Sequence, residues 1–204
     1  MLYIDNPVGV GYSYQERESP DEVITQDTYS KDLYKFVEQF YQLFPDSYNK
    51  ELYIGGQSYG AKYVTAFAYQ LHKKKSRGES NITLTGIYMG GPFFAPEIML
   101  PVLLDYFFNL GVASRSEVVT YRETMAEILQ RYSSGLMPTN VTANEILSAV
   151  MPKNILFSDN YITRERPGYY LVEDIMTSER IRQAVHVANL SFSAAGTTMH
   201  DKLG

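Results

Sequence analysis

Short apolar segments alternate with longer segments of helical periodicity in the first ninety residues. The short segments are rich in β-branched and aromatic residues, which predicts strands at about residues 2–4, 51–55 and 82–89. Between them, apolar residues spaced by threes and fours predict helices at about 25–44 and 60–74. Because strands and helices alternate, the sequence predicts an α/β fold with a parallel sheet.

The pattern changes after Pro92 to a mostly helical periodicity. Further helices are predicted at about residues 96–110, 115–133, 143–150 and 178–187. The second and third of these open with the capping boxes Ser114-x-x-Glu117 and Thr142-x-x-Glu145. A turn-rich stretch at 152–170 precedes the last helix.

No convincing core strand follows Met89 in the sequence. We therefore expect residues 1–91 to form part of an α/β core and residues 92–204 to form a largely helical cap or insertion. The most apolar stretch, 86–104, is not expected to span a membrane, because it is broken by Gly90, Gly91, Pro92, Pro96 and Pro101.

Composition and charge exclude several classes of partner. The 18 basic and 23 acidic side chains give a net charge of -5, which provides no basic surface for nucleic acid. The one basic cluster is interpreted as the solvated C-terminus of the second helix, and it consists of Lys73, Lys74, Lys75 and Arg77. With no cysteine and three scattered histidines, the sequence predicts neither a metal site nor a cofactor, and no thiol nucleophile.

Three N-x-[ST] sequons indicate a protein that enters the secretory pathway. They begin at Asn81, Asn140 and Asn189, and each is a candidate glycosylation site. No secretory signal is expected within the chain, because the first predicted strand begins at residue 2. The sequons favour a secreted or lysosomal protein.

The segment Gly56-Gln57-Ser58-Tyr59-Gly60 matches the pattern G-x-S-x-G between a predicted strand and a predicted helix. A strained turn of this kind exposes the serine side chain, and the small residues on either side let strand and helix approach. The N–H group of Tyr59 at the helix N-terminus is placed to stabilise an oxyanion. Ser58 is therefore the candidate nucleophile, although such a turn also occurs as a plain tight connection.

Four segments resemble motifs of the serine carboxypeptidases, a branch of the α/β-hydrolases. Residues 2–14, LYIDNPVGVGYSY, resemble L-x-[FY]-[IL]-D-x-P-x-G-x-G-[FY]-S-[YF], and residues 57–64, QSYGAKYV, resemble the family's nucleophile segment E-S-Y-A-G-x-Y. Residues 84–90, LTGIYMG, resemble the family's L-x-G-[IV]-x-[IL]-G strand, and residues 182–187, RQAVHV, resemble its V-[RQ]-x-A-[LI]-H-V helix. The subgroup with the most similar segments is the vitellogenic-like animal carboxypeptidases.

The resemblance implies removal of C-terminal amino acids from peptide or protein substrates through an acyl-enzyme, with a Ser-Asp-His triad in that order. It also implies that position 57, a glutamate in the family, binds the substrate carboxylate. Gln57 departs from that pattern. Either position 57 is no longer constrained to bind the substrate carboxylate, or the glutamine amide replaces a protonated acid as the hydrogen-bond donor. Gly60-Ala61 replaces the family's Ala-Gly, which we expect to be sterically neutral.

The family's glycine-rich oxyanion segment would precede Met1, and its aspartate and histidine would follow Gly204. The sequence is therefore expected to be an internal segment that is inactive by itself. Internal partners in the right order would be Asp159 or Asp174 followed by His186 or His200.

A packed structural role is the favoured interpretation of His186, which lies between two valines of a short predicted helix. A surface position is favoured for His72, because it lies near the cluster of lysines.

Three functions remain open at this stage. The first is a serine carboxypeptidase with Ser58 as nucleophile. The second is a catalytically inactive truncated paralogue with a binding or storage role, and the third is an acyltransferase of the same fold.

Overall fold

The computed structural model describes residues 1–15, 25–111, 113–134 and 170–193. The chain divides into two compact units. The α/β unit is Ile24–Met99, and the helical unit combines Met1–Val23 with Leu100–Gly204.

The α/β unit begins with helix α1, Gln26–Leu43, which Thr25 caps. The hydroxyl of Thr25 accepts a hydrogen bond from the Thr28 N–H at 3.2 Å, and the Thr28 hydroxyl accepts one from the Thr25 N–H at 2.8 Å. The buried apolar face of α1 contains Tyr29, Leu33, Tyr34 and Val37. The helix predicted at 25–44 is therefore confirmed, with a proline directly after its C-cap.

Two parallel strands follow, β1 at Leu52–Gln57 and β2 at Leu84–Gly90, joined by helix α2 at Gly60–Ser76. Their register runs from Leu52 opposite Leu84 to Gln57 opposite Gly90. Parallel strands need such a crossover, and α2 contacts both strands and α1. The core of the unit is completed by buried side chains of α2, namely Ala61, Val64, Phe67 and Leu71.

The predicted strand at residues 2–4 is wrong. These residues have no regular secondary structure, and Tyr3 is 83% exposed. Strand propensity produces a strand only where a neighbouring strand satisfies its backbone groups, and no described residue pairs with this segment.

Helices α3 and α4 agree with the sequence. Helix α3 is Pro96–Asn109 and α4 is Arg115–Ser133. The predicted capping box is present, because the Ser114 N–H donates to Glu117 Oε2 at 2.7 Å and the Glu117 N–H donates to Ser114 Oγ at 3.2 Å. Buried apolar side chains of these helices include Leu104, Phe107, Val118 and Met125.

The end of the described chain forms two short helices, α5 at Tyr170–Thr177 and α6 at Glu179–Ala184. The sequence predicted only one helix here, at 178–187, so α5 was missed and α6 is shorter than expected. The N-terminal loop contacts this region through the Tyr12 ring, whose centre lies 5.1 Å from that of Phe192. The predicted helix at 143–150, its capping box Thr142-x-x-Glu145 and the turn-rich stretch at 152–170 lie outside the described residues.

No helix in the described part of the chain is long and apolar enough to cross a membrane.

Candidate active site

Ser58 lies on the turn between β1 and α2 with a φ of 53°, in the left-handed region that side chains other than glycine rarely occupy. Three backbone hydrogen bonds hold it there. The Ser58 N–H donates to the Gly90 carbonyl at 2.9 Å, and the Ser58 carbonyl accepts from the N–H groups of Phe93 at 2.9 Å and Ala61 at 3.1 Å. The strain is therefore balanced by contacts with the end of β2, and the Ser58 side chain is exposed.

The two glycines of the motif have different roles in this turn. A Cβ added at Gly56 would lie 2.7 Å from the Gly60 carbonyl oxygen and 2.9 Å from Val64 Cγ2, so strand and helix pack too closely there for any side chain. A Cβ added at Gly60 would meet no atom within 4 Å. This open space agrees with the expectation that Gly60-Ala61 is sterically neutral relative to Ala-Gly.

Tyr59 is the N-cap residue of α2, a helix of 17 residues. Backbone N–H groups at a helix N-terminus favour negative charge, which is the chemistry that an oxyanion requires. Gln57 is the last residue of β1 and is exposed directly before Ser58. The roles of Tyr59 and Gln57 in binding substrate stay predictions.

An aromatic cluster that includes Tyr59 was not predicted from the sequence. The Tyr63 ring lies 5.5 Å from the Tyr59 ring and 4.9 Å from the Tyr29 ring, in edge-to-face geometry. Burial raises the pKa of Tyr63 to about 12, with a smaller contribution from Tyr59. The sequence signal for the cluster is the spacing of four between Tyr59 and Tyr63, with Tyr29 on the apolar face of α1.

The Tyr29 hydroxyl forms the buried end of this cluster. Tyr29 is 1% exposed, and its hydroxyl has no hydrogen-bond partner among the described residues. Burial also raises the pKa of Tyr29 above its ordinary value, with smaller contributions from Tyr59 and Tyr63.

His72 does not supply a base to Ser58. It is exposed, as predicted, and lies twelve residues beyond Gly60 in α2, about 18 Å along the helix axis. A general base has to reach the hydroxyl by a hydrogen bond, either directly or through one water.

The predicted packing of His186 is wrong. Helix α6 ends at Ala184, and His186 is an exposed residue with a φ of 58° just beyond its C-cap. The His186 N–H donates to the Gln183 carbonyl and the Val187 N–H donates to the Arg182 carbonyl, which is the Schellman arrangement. Because the helix stops before position 186, the apolar periodicity that the interpretation used does not apply there.

Of the other candidate triad partners of Ser58, the structure describes Asp174 and His186. Asp174 is exposed on α5 and, like His186, belongs to the helical unit, whereas Ser58 belongs to the α/β unit. Asp159 and His200 lie outside the described residues. Within the described part of the chain, no group of three His, Asp or Glu side chains could hold a metal ion.

Two of the three sequons can be inspected. Asn81 and Asn189 are exposed, and Asn140 lies outside the described residues. The Thr83 hydroxyl of the first sequon accepts a hydrogen bond from Lys75 Nζ at 2.7 Å.

The sequence pattern of one family, described as serine carboxypeptidase, matches residues 1–197. The chain belongs to the serine carboxypeptidase family. The resemblance drawn from the four sequence segments is therefore confirmed.

Several named proteins are similar to this chain. "Probable serine carboxypeptidase CPVL" of Homo sapiens is 28% identical over 208 residues, which cover 95% of this chain and 43% of that protein. The protein of the same name from Dictyostelium discoideum is 37% identical over 138 residues, covering 64% of this chain and 27% of the relative. "Venom serine carboxypeptidase" of Apis mellifera is 29% identical over 210 residues, which cover 94% of this chain and 43% of that protein. The chain thus spans about two-fifths of the length of the curated relatives that it matches over most of its length.

The fold is similar to that of Kex1(delta)p, a prohormone-processing carboxypeptidase from Saccharomyces cerevisiae. The TM-score is 0.67 at 13% sequence identity, and the match covers 98% of this chain and 50% of that structure. This similarity confirms the predicted fold class, a partial α/β-hydrolase sheet with a largely helical remainder.

Proposed function

We propose that the full-length protein is a serine-type carboxypeptidase, which releases C-terminal amino acids from peptides and proteins through an acyl-enzyme on Ser58. The observation that carries this proposal is the geometry of Ser58, exposed and held at a φ of 53° between β1 and α2. Membership of the serine carboxypeptidase family supports it.

In this mechanism the Ser58 hydroxyl attacks the carbonyl of the last peptide bond. The Tyr59 N–H stabilises the oxyanion, and the Gln57 amide donates a hydrogen bond to the terminal carboxylate of the substrate. A histidine accepts the serine proton and returns it to the leaving amine, and an aspartate orients that histidine and stabilises its charged form. His72 is too far along α2 for this role.

The proposal extends to organisation and location. Residues 1–91 would belong to the α/β-hydrolase core and residues 92–204 to a largely helical cap. We infer a secreted or lysosomal or vacuolar protein that is glycosylated on Asn81, Asn140 and Asn189, an inference that the exposure of Asn81 and Asn189 supports.

The test compares Ser58→Ala with Ser76→Ala in the full-length protein. Ser76 is an exposed serine at the far end of α2, where its hydroxyl donates to the Lys73 carbonyl. The substrates are a blocked dipeptide with a free C-terminus and the same peptide with a C-terminal amide.

We expect release of the C-terminal amino acid from the free-acid peptide, a loss of roughly a thousandfold or more in Ser58→Ala, and no change in Ser76→Ala. A fluorophosphonate probe should label every form except Ser58→Ala. Wild-type protein that neither cleaves the peptide nor reacts with the probe would favour the non-catalytic paralogue instead.

A further inference from the structure

The peptide unit between Ser58 and Tyr59 carries the N–H group that the proposed mechanism assigns to the oxyanion. Its carbonyl belongs to Ser58 and accepts hydrogen bonds from the Phe93 N–H at 2.9 Å and the Ala61 N–H at 3.1 Å. In a trans peptide such as this one, the carbonyl and the N–H lie in one plane and point in opposite directions. The two donors on the carbonyl therefore hold one side of the plane that carries the Tyr59 N–H.

The other side of this plane is joined to Tyr59 through one rotatable bond, N–Cα, whose φ angle is -61°. Rotation about that bond turns the N–H relative to the Cα–Cβ bond of the same residue. Tyr59 is the N-cap of α2, and its side chain makes no capping hydrogen bond with the helix. The contacts of the Tyr59 ring therefore decide how firmly the second side of the plane is held.

A row of aromatic rings connects Tyr59 to the core of the α/β unit. The Tyr59 ring lies 5.5 Å from the Tyr63 ring at an angle of 77°, and Tyr63 follows it by one turn of α2. The Tyr63 ring lies 4.9 Å from the Tyr29 ring of α1 at 84°, and Tyr29 is 1% exposed. Both contacts have the edge-to-face geometry that aromatic rings favour. At the outer end of the row, Lys62 Nζ donates to the Tyr59 hydroxyl at 3.1 Å.

The strain at Ser58 is the reason that this turn needs to be held from both sides. A φ of 53° outside glycine persists only where the surrounding structure enforces it. On the strand side, the Ser58 N–H donates to the Gly90 carbonyl at 2.9 Å. An oxyanion donor is effective only when its N–H already points at the position where the charge develops. A firm hold on Tyr59 serves both requirements.

We propose that Tyr63 is a positioning residue, which holds the Tyr59 ring and thereby keeps the Tyr59 N–H directed at the oxyanion. This inference rests on the proposed function. Tyr63 acts only through Tyr59, and it does so with its ring, because its contacts with Tyr29 and Tyr59 join ring to ring.

The experiment measures kcat and KM separately for a blocked dipeptide with a free C-terminus, using the full-length protein. Tyr63→Phe keeps the ring, and Tyr63→Leu removes it. Phe67→Leu is the matched control, because it removes a buried ring one turn further along α2. Urea unfolding of each variant reports the accompanying change in stability.

We expect kcat to fall about tenfold in Tyr63→Leu with KM within about twofold of wild type, because an oxyanion contact is made mainly in the transition state. The loss is smaller than the roughly hundred- to thousandfold caused by removing an oxyanion donor, because the N–H is misdirected and not absent. Tyr63→Phe should keep kcat within about twofold of wild type. Phe67→Leu should lower the urea midpoint and leave kcat unchanged.

A double-mutant cycle tests whether Tyr63 acts through Tyr59. Tyr59→Leu keeps the backbone N–H and removes the other ring of the contact, so it should lower kcat by a similar factor. The double variant should lose no more than either single variant, because each one already breaks the same contact. If Tyr63→Leu does not fold, Tyr59→Leu alone decides, and an unchanged kcat there overturns the inference.

The outcomes separate this inference from the proposed function. An unchanged kcat in Tyr63→Leu, an equal fall in Phe67→Leu, or additive effects in the cycle would assign Tyr63 a merely structural role and leave the proposed function standing. If wild type cleaves no peptide, the proposed function fails, and amide hydrogen exchange in residues 57–63 then decides the inference. Faster exchange in Tyr63→Leu than in wild type and Phe67→Leu supports the hold on Tyr59, and equal exchange overturns it.

Discussion

The close approach of strand and helix at Gly56 makes one substitution informative about the whole turn. In Gly56→Ala the new methyl group would lie 2.7 Å and 2.8 Å from the carbonyl oxygen and carbon of Gly60, and 2.9 Å from Val64 Cγ2. Two of these three atoms belong to the backbone, so a rotamer change cannot relieve the contact. Helix α2 has to move away from β1.

Overpacking of this kind costs about 1–3 kcal/mol, and the lower entropy of the unfolded alanine chain offsets about 0.4–1 kcal/mol of it. We therefore expect Gly56→Ala to lower the free energy of unfolding by about 1–2 kcal/mol. Gly60→Ala is the matched control, because its methyl group meets nothing within 4 Å. With no positive φ at that position, we expect a gain of about 0.4–1 kcal/mol.

Urea unfolding followed by circular dichroism measures both variants against wild type, and equal m-values would confirm that the midpoints report stability. The fluorophosphonate probe gives a second measurement, because a displaced helix moves the Tyr59 N–H relative to Ser58. We expect slower labelling in Gly56→Ala only. Equal stability of Gly56→Ala and wild type, or a loss of the same size in Gly60→Ala, would refute the packing argument.

Three further substitutions test other parts of the structure. Tyr29→Phe removes a buried hydroxyl without a described partner, so urea unfolding should show unchanged or higher stability, by up to about 1–3 kcal/mol, and a clear loss would contradict this. Tyr63 has a pKa raised to about 12, so its contribution to stability is complete below pH 10 and lost as pH rises to 12. Tyr63→Phe should therefore reduce the fall in urea midpoint across that range. Ser114→Ala removes the N-cap of α4 and should cost about 1 kcal/mol, and an unchanged midpoint would show that the capping box does not matter.

The first half of the chain was largely predictable because its pattern is locally consistent. The ends of the helix predicted at 25–44 and of the strands predicted at 51–55 and 82–89 each lie within about two residues of the observed ends. The turn at Ser58 lies where the motif predicts it. The motif also requires glycine at position 56 for a reason that the structure supplies, which is the contact with Gly60.

The errors arise where distant residues decide the local structure. Residues 2–4 have strand propensity but no described pairing partner, so propensity alone predicted a strand that the structure does not contain. His186 was assigned to a helix that ends two residues earlier in a Schellman turn, and nothing in its apolar neighbours signals that end. The contact of Tyr29 with Tyr63 joins two helices that are distant in sequence, and spacing within one helix does not reveal it.

Gln57 keeps the position directly before Ser58 without charge. The family's glutamate would add a negative charge as it ionises, next to the carboxylate of the substrate, whereas glutamine stays neutral at every pH.

The proposed site therefore lacks the acidic side chain that the resemblance to the family implies at position 57. In the full-length protein, Gln57→Glu should raise KM for a blocked dipeptide with a free C-terminus more steeply between acidic and neutral pH than wild type, because the new acid ionises next to the substrate carboxylate, while kcat stays similar in both. Identical pH profiles of KM in wild type and Gln57→Glu would mean that position 57 does not contact the substrate carboxylate.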